Sequence, residues 1–137
     1  HCPALLIRDN AVTAFKPSGI GLGLTNNELF KNHLEEIKID LKESDTLVFY
    51  TDGITEAQNK ELEDFGDKRF TEILIKNANE SVSQITNEVI KDITLFSRNH
   101  FQYDDITLVI FKWHKKNNID GVKEWQISTP QLKTRVL

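Results

Sequence analysis

Thr46-Leu47-Val48-Phe49-Tyr50-Thr51-Asp52-Gly53 opens as a continuous apolar run of strand formers and stops at an Asp-Gly turn signal. A run of this kind predicts a strand covered on both faces, and Thr46 to Tyr50 is the natural centre of a sheet. Upstream, Lys42-Glu43-Ser44-Asp45 turns the chain. Before that turn, Ile37, Ile39 and Leu41 alternate with charged residues, which predicts a strand with one solvated face between Leu34 and Leu41. Further back, Ala4 to Arg8 is short and apolar, Asp9-Asn10 is a turn pair, and Ala11 to Phe15 returns, so a hairpin is predicted. Pro17 to Leu24 carries glycines at 19, 21 and 23, which suits turn geometry; without a Gly-Lys-Ser/Thr ending it is not a P-loop.

Downstream of the central strand, Phe70, Ile73, Leu74 and Ala78 recur at helical spacing and predict a short amphipathic helix that Asn77 to Asn79 interrupts. A second helix begins at Ser81, where Ser-Val-Ser-Gln84 has capping-box form, and Val82, Ile85, Val89, Ile93 and Phe96 make its core-facing stripe. Ile106 to Trp113 is the last predicted strand, after which all periodicity breaks. The packed domain is therefore expected over residues 1–113, with 114–137 as a tail or linker.

The chain has 137 residues, 39% hydrophobic and 28% charged, enough for one real core and too few for two full domains. A net charge of -4 provides no general field for capturing nucleic acid or an anionic membrane. No run reaches the roughly 20 apolar residues that span a bilayer. The single cysteine, Cys2, closes no intrachain disulfide, which makes the cytoplasm the default location. The opening His1-Cys2-Pro3 and the absence of Met do not look like a natural start, so a piece of a longer protein, with an upstream part missing, is expected.

Two acidic positions stand out. Asp52 lies just past the central strand, and Asp104-Asp105 stand just before the last one. If those strands are antiparallel neighbours, their opposite ends coincide and the carboxylates meet at one edge of the sheet. Carboxylates brought together repel unless a cation neutralises them, and hard oxygen donors without a His or Cys cluster suit Mg²⁺ or Mn²⁺ rather than Zn²⁺. The same residues are equally readable as an ordinary Asp-Gly turn and a solvated strand edge.

The motifs Asp45-Thr46-Leu47-Val48-Phe49-Tyr50-Thr51-Asp52-Gly53-Ile54-Thr55-Glu56-Ala57, then Phe65-Gly66, then Asp104-Asp105-Ile106-Thr107-Leu108-Val109 resemble the C-terminal half of the stage II sporulation protein E type, RsbU-like serine phosphatases. His1-Cys2-Pro3-Ala4-Leu5-Leu6 and Gly21-Leu22-Gly23 are similar to that family's Asn-Ala-Gly-His-Pro-Pro and Pro-Leu-Gly segments. The resemblance implies an α+β fold of PPM type, an α/β/β/α sandwich of two antiparallel sheets flanked by helices, here N-terminally truncated. It also implies a protein serine/threonine phosphatase with a two-metal Mn²⁺ or Mg²⁺ site, in which a metal-activated water hydrolyses phosphoserine or phosphothreonine. Asp52 and Asp104 match the metal-binding positions, with Asp105 and Gly53 supporting them. By the same resemblance the substrate is a phosphorylated regulatory protein, an anti-sigma-factor antagonist, and the full-length protein has an upstream sensor or regulatory domain.

The family's upstream Gly-Asp and Asp-Val-Ser-Gly-His-Gly-like motifs have no counterpart here, so this chain alone holds half a site. Two other readings therefore stand beside the enzyme: a catalytically silent interaction module, and a lone divalent-cation-binding domain of low affinity. A truncated sandwich would expose apolar sheet faces, which predicts a homodimer. Arg8 lies six positions after Cys2 but inside an expected strand, so Cys2 is not read as a nucleophile. His1 is either near the site or a frayed end; His33, His100 and His114 have no ligand-like spacing. Thr51, Thr55 and Glu56 are expected to shape the Asp52 turn, and Thr107 to fix the Asp104 loop by a hydrogen bond.

Overall fold

A computed structural model describes residues 2–19, 24, 28, 32–98 and 105–114. Its elements run β1 (Ala4–Arg8), β2 (Ala11–Phe15), β3 (Thr46–Tyr50), α1 (Gly66–Lys76), α2 (Val82–Ser97) and β4 (Leu108–Lys112). The strands form one antiparallel sheet in the order β2-β1-β3-β4. The described residues thus build one sheet with its helices. Residues 115–137, apart from His114 the whole expected tail, lie outside the described residues, as do Asp104, His1 and Gly21 to Gly23.

The predicted hairpin forms with Arg8 opposite Ala11, and Asp9 and Asn10 take φ of 51° and 59°. Two successive left-handed residues twist the loop to match the strands, and Asp and Asn tolerate that conformation better than most residues.

The register puts Leu5, Ile7, Val48, Leu108 and Ile110 on one face of the sheet, where they join the buried cluster of Phe70, Ile73, Leu74, Val82, Ile85, Val89 and Ile93 from the two helices. The opposite face carries Leu6, Leu47, Phe49, Val109 and Phe111, and there Phe49 meets Phe111 edge to face at 6.0 Å. Phe49 is 45% exposed, so the expectation that β3 is covered on both faces is corrected: among the described residues the helices cover one face.

The strand predicted between Leu34 and Leu41 does not form, and Ile37 and Leu41 are exposed. Alternation makes a strand only where a ladder partner is available. Here the Asp40 carbonyl accepts instead from the Arg8 guanidinium at 2.8 Å. The same guanidinium grips Asp45, which is 2% exposed and also accepts the Lys42 backbone N–H at 2.7 Å. Asp45 thereby fixes the turn that feeds β3.

The first helix begins at Gly66, earlier than the apolar spacing from Phe70 suggests, and no side chain caps it. Its start is set instead by Gly66 at φ 80°, a backbone conformation that costs glycine little, and by Arg69, which donates to the Asp64 and Phe65 carbonyls. Arg69 also lies 4.5 Å over the Phe96 ring, tying α1 to the end of α2. The capping box at α2 forms as the sequence predicts: the Ser81 hydroxyl accepts from the Gln84 backbone N–H, and the Ser81 backbone N–H donates to the Gln84 side chain. The last strand is shorter than predicted, yet Trp113 continues its pairing by donating to the Asp45 carbonyl and accepting from the Ser44 N–H. Lys112 reaches across to donate to the Ala78 and Glu80 carbonyls at 2.8 Å each, which straps β4 to the α1–α2 connection.

Candidate active site

Strands β3 and β4 are antiparallel neighbours with Tyr50 opposite Leu108, so the turn after β3 and the approach to β4 do meet at one edge of the sheet. Beyond that last rung the Thr51 N–H donates to the Thr107 carbonyl at 3.1 Å. The Thr51 hydroxyl then makes two further bonds, donating to the Asp105 carbonyl and accepting from the Thr107 N–H, each at 2.9 Å. The hydrogen bond expected of Thr107 is thus made by its backbone, and the side chain that closes the junction belongs to Thr51.

Asp52 stands exposed on the turn that follows. Its carbonyl accepts from the Glu56 N–H at 2.8 Å and from the Thr55 hydroxyl at 3.2 Å, and the Ile54 N–H bonds the Thr51 carbonyl. Thr51 and Thr55 therefore shape the turn, as their types suggest. Gly53 and Ile54 are buried beneath it and root it in the core. Gly66 at the head of α1 donates to the Thr55 carbonyl at 2.8 Å, so helix and turn are tied directly. Asp105 is exposed at the start of the described approach to β4; Asp104 precedes it outside the described residues, and its meeting with Asp52 stays an expectation.

More acidic side chains gather at this end. The Tyr50 hydroxyl donates to Asp67 at 3.4 Å, while its ring packs on Phe70 at 4.7 Å between centroids. Burial, then the charge of Asp67, pushes the Tyr50 phenol up to about 12. Burial and the nearby charges of Asp52, Asp67 and Glu56 raise the Cys2 thiol. A raised thiol is a poor nucleophile, and Arg8 is committed to Asp45, so the pair builds no cysteine-phosphatase loop.

Between the Asp52 turn and α1, the chain makes a tight excursion. Asn59 accepts the Glu61 and Glu63 N–H groups on its side-chain oxygen, and Gln58 bridges to Asp64. Leu62 sits at its tip, 64% exposed with φ 62°. His114 lies at the other end of the sheet beside Glu43, 3.3 Å away.

The donors at the Asp52 edge are carboxylates, a chemistry that suits a hard divalent cation. Among the described residues, however, no three His, Cys, Asp or Glu side chains are placed to hold a metal together. What the described part supplies is Asp52 on a braced turn, not a complete ligand set. Sequence reasoning located Asp52 and the shared edge but missed the two-way Thr51 bond and the Tyr50–Asp67 contact. The first was signalled only by a hydroxyl beside Asp52, and the second depends on where α1 packs.

The sequence model of the stage II sporulation protein E (SpoIIE) family matches residues 1–114. Protein IcfG of Synechocystis sp. is 28% identical over 110 residues, covering 80% of this chain but 17% of its own length. Among solved structures, the SiaA-PP2C domain of Pseudomonas aeruginosa superposes with a TM-score of 0.66 at 20% identity, covering 81% of this chain and 43% of that one. The phosphatase domain of the cell fate determinant SpoIIE from Bacillus subtilis, presoaked with Mn, gives 0.60 at 22% identity, covering 85% and 48%. The chain thus spans under half the length of these two domains, and it has the fold of that part of a PP2C phosphatase domain. The match of the family model over residues 1–114, which include every described strand and helix, shows that the chain belongs to the stage II sporulation protein E family.

Proposed function

We propose that this chain is the part of a metal-dependent protein serine/threonine phosphatase that contributes one side of the active centre. Asp52 and Asp104 would hold Mn²⁺ or Mg²⁺, with Asp105 and Gly53 supporting them. The observation that carries the reading is the β3–β4 pairing, which joins the Asp52 turn to the segment that follows Asp104. A bound divalent cation would supply a water of lowered pKa and charge neutralisation on the phosphoryl oxygens. The chain's own task is to hold its carboxylates at one sheet edge and keep their backbone still. The substrate is proposed to be a phosphorylated regulatory protein, by resemblance an anti-sigma-factor antagonist, acted on in the cytoplasm. A homodimer and an upstream sensor domain belong to the same proposal. A second reading is a catalytically silent interaction module.

The test is Mn²⁺ titration by calorimetry of the chain, of Asp52→Asn and of Asp104→Asn, with hydrolysis of an aryl phosphate followed in parallel. Metal binding and turnover that both variants lose support the enzyme. Binding lost without any turnover means one side of a phosphatase centre, and a chain that takes up no Mn²⁺ leaves the interaction module.

A further inference from the structure

We infer that Thr51 is a positioning residue, whose hydroxyl sets the spacing between the Asp52 turn and the segment entering β4. This rests on the phosphatase reading given above. A hydroxyl offers one proton and two lone pairs, and Thr51 uses it in both senses, giving its proton to the Asp105 carbonyl and taking the Thr107 N–H. The partners lie 54 and 56 positions away, so the two bonds join segments far apart in sequence. One covalent step from Thr51 is Asp52, and one step from Asp105 is Asp104. Fixing the Asp105 carbonyl and the Thr107 N–H relative to the Thr51 backbone therefore sets the start of the described approach to β4 against the point from which Asp52 projects.

The turn is also held by bonds along the chain and by the Gly66 N–H at the head of α1, which donates to the Thr55 carbonyl. Thr55, Ile54 and Glu56 bond within four residues of Asp52 and shape the turn without reference to β4. Ladder bonds hold β3 to β4 but end at the Thr51 N–H to Thr107 carbonyl bond, short of Asp105. The Thr51 side chain extends the pairing past the end of the ladder on the strand whose next residue is Asp52. A metal ligand held this way reaches the ion already placed, and one left loose must be ordered on binding, which weakens affinity.

The experiment compares Thr51→Val, which keeps the shape and loses the hydroxyl, with Thr51→Ser, which keeps the hydroxyl. Two readouts are taken: amide hydrogen exchange at Thr107 on the metal-free chain, and the Mn²⁺ dissociation constant by calorimetry. Faster exchange at Thr107 in the Val variant, with Mn²⁺ affinity weakened at least tenfold and both restored by Ser, is the expected result. Exchange unchanged in Val overturns the clamp. Exchange accelerated with Mn²⁺ affinity at the wild-type value overturns the positioning role and leaves a structural one. Should Val fail to fold by circular dichroism, Thr51→Ala against Thr51→Ser is read by the same criteria. A wild-type chain with no Mn²⁺ affinity overturns the phosphatase reading and this proposal together, whereas failure confined to the Val and Ser comparison overturns this proposal alone.

Discussion

Arg8 and Asp45 are bonded at two points across 37 positions of sequence, Nε to Oδ1 at 2.8 Å and Nη2 to Oδ2 at 2.5 Å, with the Asp45 side chain 1% exposed. The contact joins the hairpin to the turn before β3. The Arg8 guanidinium, followed by the Lys42 N–H, holds the Asp45 carboxyl below the usual carboxylate range despite its burial. A carboxyl whose folded pKa lies below its unfolded one, about 3.9, contributes stability that is complete above that value and is lost as pH falls through the folded pKa.

Asp45→Asn is therefore expected to lower stability at pH 7 by about 1.5–3 kcal/mol, the range for hydrogen bonds to a charged group. Urea unfolding at pH 7 and at pH 3 checks this. The gap should narrow at the lower pH, which lies below the unfolded carboxyl's pKa of about 3.9, so that wild-type unfolding there takes up a proton that the Asn variant does not, and an equal gap at both values would show that the charge is not what holds the turn.

Ser81→Ala removes the acceptor for the Gln84 N–H and should cost about 1 kcal/mol, while Ser81→Asp should keep most of the stability. Thermal unfolding of both variants distinguishes a lost cap from a general effect at that position.

Phe70 is fully buried and supports the Tyr50 ring. Phe70→Ala should cost about 3–5 kcal/mol, whereas Leu95→Ala, at a position 61% exposed, should stay within about 0.5 kcal/mol. Chemical denaturation of the pair tests whether the helix-side cluster is the main core, since comparable losses would contradict it.

Asn10 has φ 59° in the two-residue loop between β1 and β2. A β-branched residue resists that conformation, so Asn10→Val should cost about 1–2 kcal/mol and Asn10→Gly should be close to neutral. Denaturation midpoints of the two variants give the comparison, and a tolerated Val would mean that the loop is not held left-handed in solution.

Much of this structure is legible in the sequence where a local signal coincides with a tertiary one. Asp9-Asn10 fixes the hairpin because both residues accept positive φ, and Ser81 with Gln84 marks the helix start because the capping bonds are local. Ile37, Ile39 and Leu41 mislead because alternation describes a strand's faces and says nothing about whether a neighbour supplies the ladder. Phe49 misleads for a related reason: an apolar run does not report which of its two faces the helices will cover. At the candidate site, Asp52 and the shared edge follow from strand order. The Thr51 bonds span two loops, and no spacing rule along one chain reveals which carbonyl a hydroxyl will find.

The five residues of β3 extend about 3.3 Å each, placing roughly 16 Å between the Asp45 end and the Asp52 end. Changes more than about 10 Å apart with no shared partner usually add. The stability of the fold and the shape of the Asp52 turn can therefore drift separately along this one strand: a lineage could reinforce the grip at its entrance while reshaping the turn at its exit, and neither history would have to wait for the other.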